Sequence, residues 1–132
     1  MQALYFLAPG GGRRFDLTQL EALLMKLPGA FRHPDPTELC YVIAPNAAMA
    51  KAVEDQLHRN PGTSLASQGI VTLAPTGVRI EQDAPAAVHA QLKPFVTWLM
   101  RAYACKVYSE EGEDWTARYA NHPEALFLEE PV

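Results

Sequence analysis

The sequence predicts a single domain over residues 1–132, of the α/β or α+β class, with a mixed sheet of about five strands and three helices. Three observations support this prediction. A chain of 132 residues fits one domain. A content of 48% hydrophobic and 20% charged residues is typical of globular proteins. Short apolar runs also alternate with stretches of helical period, in the order β-α-β-α-β-β-α-β.

Three apolar runs that each close with Ala-Pro predict buried strands. Proline ends such a strand because it has no amide hydrogen to donate to the next strand. A turn after the third run leads into an alternating strand that returns antiparallel. Residues 30–38 contain two prolines and are predicted to form a loop. After the last strand, the chain from Trp115 is expected to run back beside that strand. The predicted strands cover residues 4–9, 40–45, 70–75, 78–81 and 105–109.

Cap signals and apolar stripes predict three helices. Asp16 and Gln19 form a capping box, so the first helix begins after the glycines of residues 10–12 and not within them. Asn46 caps the second helix. Pro94 lies inside the third and predicts either a kink near His89 and Ala90 or a new helix start at Lys93. The inward stripe predicted for the second helix is Met49, Val53 and Leu57. The predicted helices cover residues 17–27, 47–59 and 83–104.

The charge balance and the cysteines exclude several classes of protein. A net charge of −4 argues against nucleic-acid binding, which needs a surplus of Lys and Arg. Cys40 and Cys105 lie in apolar surroundings and are expected to be reduced, buried thiols. The N-terminus has no cationic region before its short apolar run, and no run approaches the roughly 18 apolar residues of a membrane span. The expected location is therefore the cytoplasm.

The loop of residues 10–14 predicts a ligand site of an unusual kind. Neither the P-loop nor the dinucleotide fingerprint fits it, because Arg13 follows the glycines and Phe15 stands at the third glycine position. If the first three strands are parallel, their carboxyl ends share one edge, where α/β sheets bind ligands. An antiparallel arrangement would separate the loop from Asn46. The candidate ligand-binding residues are Gly11, Gly12, Arg13, Arg14, Asn46 and Thr76.

The patterns of catalytic and metal-binding residues are weak. His33, Asp35 and Glu38 lie close together, yet the four histidines never take the spacing of a metal site, so no metal or cofactor is expected. Ser64 and Ser67 do not lie in a nucleophile elbow. Whether the protein is an enzyme stays uncertain, with the weight of these patterns against catalysis.

The C-terminal fifth concentrates negative charge. Seven of the 15 acidic residues lie between Tyr108 and Val132, interleaved with aromatic side chains, and residues 118–132 form an acidic tail. Such a surface suits a basic protein partner, because aromatic side chains anchor an interface and the charges around them steer approach. Alternatively, Leu126, Phe127 and Leu128 pin the tail to its own core. The predicted protein-binding residues are Tyr108, Glu110, Glu111, Glu113, Asp114, Trp115 and Tyr119.

The leading hypothesis is a non-catalytic protein that binds another protein, with homodimerisation left open. A small acidic α/β domain without a catalytic signature is compatible with a small bacterial inhibitor or immunity protein, or with an accessory protein, by analogy of fold and charge alone. The alternative is a small-ligand or anion-binding domain, or an enzyme, that uses the loop of residues 10–14.

Overall fold

The computed structural model describes residues 3–34, 39–65, 67–82 and 86–119. They form a single α+β domain with a six-stranded antiparallel sheet and four helices, which confirms the predicted class. The elements are β1 (Ala3–Ala8), α1 (Leu17–Leu24), β2 (Ala30–Arg32), β3 (Leu39–Ile43), α2 (Ala47–Arg59), β4 (Gly69–Ala74), β5 (Gly77–Gln82), α3 (Ala86–Ala102), β6 (Lys106–Ser109) and α4 (Thr116–Tyr119).

The strand order is β2-β3-β4-β5-β1-β6, and every neighbouring pair is antiparallel. The prediction of a mixed sheet is therefore corrected. A two-residue turn between Ala74 and Gly77 joins β4 to β5, and β1 inserts between β5 and β6, where Leu7 lies opposite Val78 and Val107. Short hairpin connections favour antiparallel pairing, whereas parallel neighbours need long crossovers.

Two short elements were missing from the prediction. β2 lies inside the predicted loop, where three residues pair with β3 before Pro34 ends the strand. α4 has four residues, and the amide of its first residue, Thr116, donates to the Asp114 carboxylate at 2.9 Å. Elements this short carry too few residues for their periodicity to be recognised. α3 runs unbroken through Pro94, so the new helix start considered at Lys93 is not observed.

The helices divide unequally between the two faces of the sheet. α1, α3 and the buried Tyr119 of α4 pack on one face, together with Tyr5 and Leu7 of β1 and the inward residues of the other strands. α2 covers the other face only beside Phe31 and Val42, on β2 and β3. The inward stripe of α2 is Ala50, Val53 and Leu57. Met49 was expected in that stripe but is 45% exposed.

Polar contacts hold the two ends of α3, one against the start of α1 and the other against the loops at the opposite end of the sheet. At one end, the Asp16 amide donates to the Tyr103 hydroxyl, which donates to the Gln19 side chain, each at 3.2 Å. Tyr103 thus bridges the predicted capping box, while Asp16 itself accepts from the Gln19 amide. At the other end, the Gln91 amide accepts from Gly29 and donates to the Ala44 carbonyl, both at 2.8 Å.

None of the helices in the described ranges has both the length and the apolar character that crossing a lipid bilayer requires.

Candidate protein-binding surface

The acidic turn, residues 110–114, is held in one shape by hydrogen bonds from the end of β6. Ser109 is fully buried, and its hydroxyl accepts a hydrogen bond from the Glu113 amide at 3.0 Å. The Ser109 amide donates to the Glu113 carbonyl at 2.9 Å, and the Gly112 amide donates to the Ser109 carbonyl at 3.0 Å. Gly112 has a φ of +85°, which glycine adopts without a steric penalty. The carboxylates of the turn therefore project from a fixed backbone.

Four carboxylates are exposed on the acidic turn: Glu110, Glu111, Glu113 and Asp114. Across the described ranges of the chain, none of them forms an ion pair. Hydrogen bonds from the side chain and amide of Thr116 hold the pKa of Asp114 below its ordinary value, because they stabilise the charged form. The turn thus concentrates negative charge without an ion pair among the described residues, and the nearby charge of Lys106 also helps to lower the pKa of Asp114.

Trp115 and Tyr119 follow the turn and have different environments. Trp115 is half-buried, and its indole lies 5.5 Å from the Arg118 guanidinium and 6.3 Å from the Tyr119 ring. Its Nε1–H donates to the Glu113 carboxylate at 3.4 Å. Tyr119 is only 6% exposed and belongs to the main core. Of these two predicted residues, Trp115 reaches the surface, whereas Tyr119 anchors α4 beneath it.

Tyr108 connects the acidic turn to a second surface on the sheet. It pairs across strands with Phe6 of β1 and forms an isolated bridge with Asp114. Phe6 and Tyr108 are both half-buried, and among the described residues they belong to neither hydrophobic cluster. They lie on the sheet face opposite α1 and α3, because Tyr5 and Leu7 on either side of Phe6 face that core.

We call the surface around this aromatic pair the open face. It is the part of this sheet face that α2 does not contact. By strand alternation its members include Phe6, Ile70, Thr72, Arg79, Tyr108 and the exposed Lys106. Arg79 lies directly opposite Phe6 and Thr72 and forms an ion pair with Glu81 at 3.1 Å. Arg79 is 47% exposed and Glu81 20% exposed. The open face therefore has an aromatic end beside the acidic turn and a charged pair farther along the sheet.

Phe6 and Arg79 were not among the predicted site residues. The β1 sequence is apolar at successive positions, so it predicted a strand buried on both sides, and alternation could not identify an exposed face. Val78–Glu81 does alternate, and that pattern correctly marked a half-exposed strand. Only the position of β1 between β5 and β6 brings Phe6 and Tyr108 together.

The glycine loop packs against the C-terminal end of α3. The Gly10 amide donates to the Tyr103 carbonyl at 2.9 Å, and a side chain at residue 10 would begin 2.4 Å from the Ala104 carbonyl oxygen. Gly11 and Gly12 have φ values of +64° and +70°, which turn the chain. Glycine is needed here for close approach and for left-handed backbone.

The arginines after these glycines have unequal roles. The Arg13 guanidinium donates to the Ala102 carbonyl at 2.9 Å and lies 4.7 Å from the centre of the Tyr103 ring. Arg14 is exposed. Arg13 is thus engaged with the end of α3, where carbonyls without intrahelical partners attract cations.

The other two residues of the predicted ligand site lie at opposite edges of the sheet. Thr76 lies in the β4–β5 turn, at the same edge as the glycine loop, and the neighbouring Pro75 carbonyl accepts from the Phe15 amide at 2.8 Å. Asn46 follows β3, which runs antiparallel to β4, so it lies at the opposite edge and caps α2 through the Met49 amide. The antiparallel alternative is the observed one, and anion binding by the loop stays a prediction without support from these contacts.

Within the described residues, neither the two cysteines nor the loop around His33 forms a recognisable nucleophile or metal site. Cys40 and Cys105 form no disulfide, and Cys105 is buried as expected, whereas Cys40 is only half-buried. Burial raises the pKa of the Cys105 thiol to about 12, and its Sγ donates to the Leu99 carbonyl. No group of three or more potential metal ligands occurs in the described ranges. Asp35 and Glu38, which were considered with His33, lie outside those ranges.

Comparison with known protein families, curated proteins and solved structures finds no match to this chain.

Proposed function

We propose that this protein is a non-catalytic binding protein that engages a basic surface of another protein. Its interface combines the acidic turn with the aromatic end of the open face. The observation that carries the proposal is the contact between these two parts: Tyr108 pairs with Phe6 on one side and with Asp114 of the turn on the other. Apolar anchors and steering charges are therefore contiguous.

The charges support a basic partner. Four exposed carboxylates project from a backbone that Ser109 and Gly112 hold in place. Such a cluster accelerates the approach of a positively charged surface, and the effect weakens as salt screens it. A preformed turn also loses little conformational entropy when it binds.

The aromatic side chains support an anchored interface. Phe6 and Tyr108 are adjacent and half-buried, and Trp115 lies beyond the turn. Aromatic residues surrounded by a polar rim are typical of the residues that dominate binding energy. Two cysteines that form no disulfide also suit a reducing compartment such as the cytoplasm, where this proposal places the protein.

The test begins by capturing partners from cell extract and then measures association and dissociation rates with the purified partner. The charge variant is Glu110→Gln with Glu111→Gln. Its matched control is Glu54→Gln with Asp55→Asn on α2, which removes the same net charge elsewhere. We expect the charge variant to slow association several-fold at low salt and the control to leave it nearly unchanged. Equal effects of both variants would contradict steering by the turn.

The anchor variants are Phe6→Ala and Tyr108→Ala, compared with Met49→Ala on the exposed side of α2. We expect the first two to raise the dissociation rate at least tenfold, since truncating an interface anchor costs on the order of 2 kcal/mol. Met49→Ala should change it little. A partner that binds all three variants like the parent protein would remove the open face from the interface.

A further inference from the structure

The open face carries a row of four side chains that crosses the sheet. Arg79 of β5 lies opposite Phe6 of β1. Phe6 in turn lies opposite Tyr108 of β6, which forms an isolated bridge with Asp114 of the acidic turn. Residues that lie directly opposite each other in antiparallel strands project from the same face. From β5 to the acidic turn, the row therefore reads cation, aromatic, aromatic, anion.

This row complements itself when two copies of the chain meet face to face. A two-fold axis that runs along the strands, midway between Phe6 and Tyr108, reverses the order of the row in the second copy. Arg79 of each copy then faces Asp114 of the other. Phe6 of each copy faces Tyr108 of the other, so both contacts occur twice. A two-fold symmetric dimer needs a surface that is complementary to itself in this way.

The helices in the described part of the chain leave room for such a dimer. α1, α3 and Tyr119 of α4 pack on the opposite face of the sheet, and α2 packs beside β2 and β3 on this one. β4, β5, β1 and β6 follow β3 across the sheet. An axis between β1 and β6 therefore places the α2 helix of each copy beyond the β6 edge of the other. In that position α2 does not hinder two sheets from packing about 10 Å apart.

Charge complementarity is the observation that favours a second copy as the occupant of the open face. Asp114 is exposed and forms no ion pair within the described ranges. Arg79 is 47% exposed, and its Nη2 lies 3.1 Å from the Glu81 carboxylate. A guanidinium has several N–H donors, so Arg79 can bind Glu81 and a second carboxylate at the same time. Two contacts between Arg79 and Asp114 can therefore form without breaking the ion pair inside each copy.

We propose that the open face is the interface of a two-fold symmetric dimer of this chain, with the Phe6 and Tyr108 rings of both copies at its centre. Aromatic rings at the centre and opposite charges at the two ends match the way protein interfaces combine anchoring with orientation. This inference goes beyond the proposed function and does not rest on it. Because both interfaces use the same aromatic residues, the dimer and the complex with a basic partner exclude each other.

The size of the surface and the net charge of the chain make this dimer weak. The four uncovered strands span about 19 Å across and about 17 Å along the paired residues of β1 and β5, a flat area on the order of 320 Å². A stable interface buries about 800 Å² on each partner. Each copy also carries a net charge of −4, which opposes association. The expected dissociation constant lies between about 10 μM and about 1 mM.

Sedimentation equilibrium of the full-length chain, at concentrations up to about 1 mM, measures the dimer directly. Arg79→Asp and Asp114→Arg each place like charges opposite each other in both contacts, so we expect either variant to raise the dissociation constant roughly tenfold or more. An equimolar mixture of the two variants restores opposite charges in both contacts and should form a heterodimer with an affinity close to that of the parent dimer. The matched controls on α2, Arg59→Asp and Asp55→Arg, make the same changes of charge elsewhere and should leave the association nearly unchanged.

A measurement on the parent protein decides the case in which a variant fails to fold. In a sample that mixes isotope-labelled and unlabelled chains, nuclear Overhauser contacts between Phe6 of one chain and Tyr108 of another support the proposal, and a dimer without them overturns it. A chain that stays monomeric at about 1 mM also overturns it. So does a mixture of folded charge variants that dimerises no better than either variant alone. None of these results decides the proposed function, which the capture of a basic partner tests separately.

Discussion

The guanidinium of Arg13 lies 4.7 Å from the centre of the Tyr103 ring and donates to the Ala102 carbonyl at the end of α3. Arg13→Ala removes both contacts, so we expect it to lower the free energy of unfolding by about 1 kcal/mol. Arg14→Ala, at the exposed neighbouring position, should stay within about 0.5 kcal/mol of the parent protein. Urea unfolding measures both. Equal losses would mean that the contacts of Arg13 contribute nothing.

The Tyr103 hydroxyl bridges the Asp16 amide and the Gln19 side chain. Tyr103→Phe keeps the ring but leaves both groups without this partner, and we expect a loss of about 1–2 kcal/mol in urea unfolding. Tyr108→Phe is the control, since it also deletes one hydroxyl from a tyrosine but on the opposite face of the sheet. A Tyr103→Phe protein as stable as the control would show that solvent replaces the bridge.

The Gln91 side chain links α3 to the ends of two loops, through Gly29, the Ala44 carbonyl and the Pro45 carbonyl. Gln91→Ala breaks these bonds in a partly buried setting, and we expect a loss of about 2–3 kcal/mol, at roughly 1 kcal/mol for each bond. Gln56→Ala on the exposed side of α2 is the matched control and should change stability little. Thermal unfolding distinguishes the two. A small effect at both positions would argue that water restores the hydrogen bonds.

The close approach of Gly10 to α3 gives a steric prediction. A methyl group at residue 10 would lie 2.4 Å from the Ala104 carbonyl oxygen, which belongs to the backbone and cannot rotate away. We expect Gly10→Ala to lose about 1–3 kcal/mol, as overpacked sites do. Gly62→Ala meets only the Asn60 side chain at 3.4 Å and should be nearly neutral. If both variants unfold at the same urea concentration, the loop moves away from α3 without cost.

The Cys105 thiol gives a prediction about pH. Burial raises its pKa from 9.0 to about 12, so the folded state keeps the proton that the unfolded state releases above about pH 9. This thiol's contribution to stability is therefore complete below pH 9 and is lost progressively as the pH rises towards 12. Cys105→Ala should lessen the decline in stability between these values.

Thiol reactivity checks the same point under native conditions. At pH 8, a thiol reagent should modify Cys105 in a Cys40→Ser background only as fast as the protein opens, because the thiolate is scarce and buried. Rapid modification of Cys105 in folded protein, at the rate of a free thiol, would contradict the burial argument.

Much of the local structure could be predicted because it depends on neighbouring residues. Asn46 begins α2 as expected, since an asparagine side chain satisfies a free amide of the first turn wherever the helix lies. The β4–β5 hairpin likewise follows from its short turn. Met49 was placed wrongly, because the helical period fixes which residues share a side but not which side meets the sheet.

The candidate site was less predictable than the elements. The exposed acids of residues 110–114 were found from sequence, since charged residues in a glycine turn stay in solvent. Tyr119 looked like their companion and instead packs in the core. Phe6 was not recognised, because its exposure depends on which strand face the helices leave uncovered.

The sequence by itself determined the class of the domain, the ends of α2 and the hairpin, and the concentration of acids after β6, because caps, turns and solvation act within a few residues. Only the tertiary structure decided that β1 lies between β5 and β6, that Arg13 is held by α3, and that Phe6 meets Tyr108. These relationships join residues about 70 to 100 positions apart, and the free energy that selects them comes from burying a shared core, which no local pattern encodes.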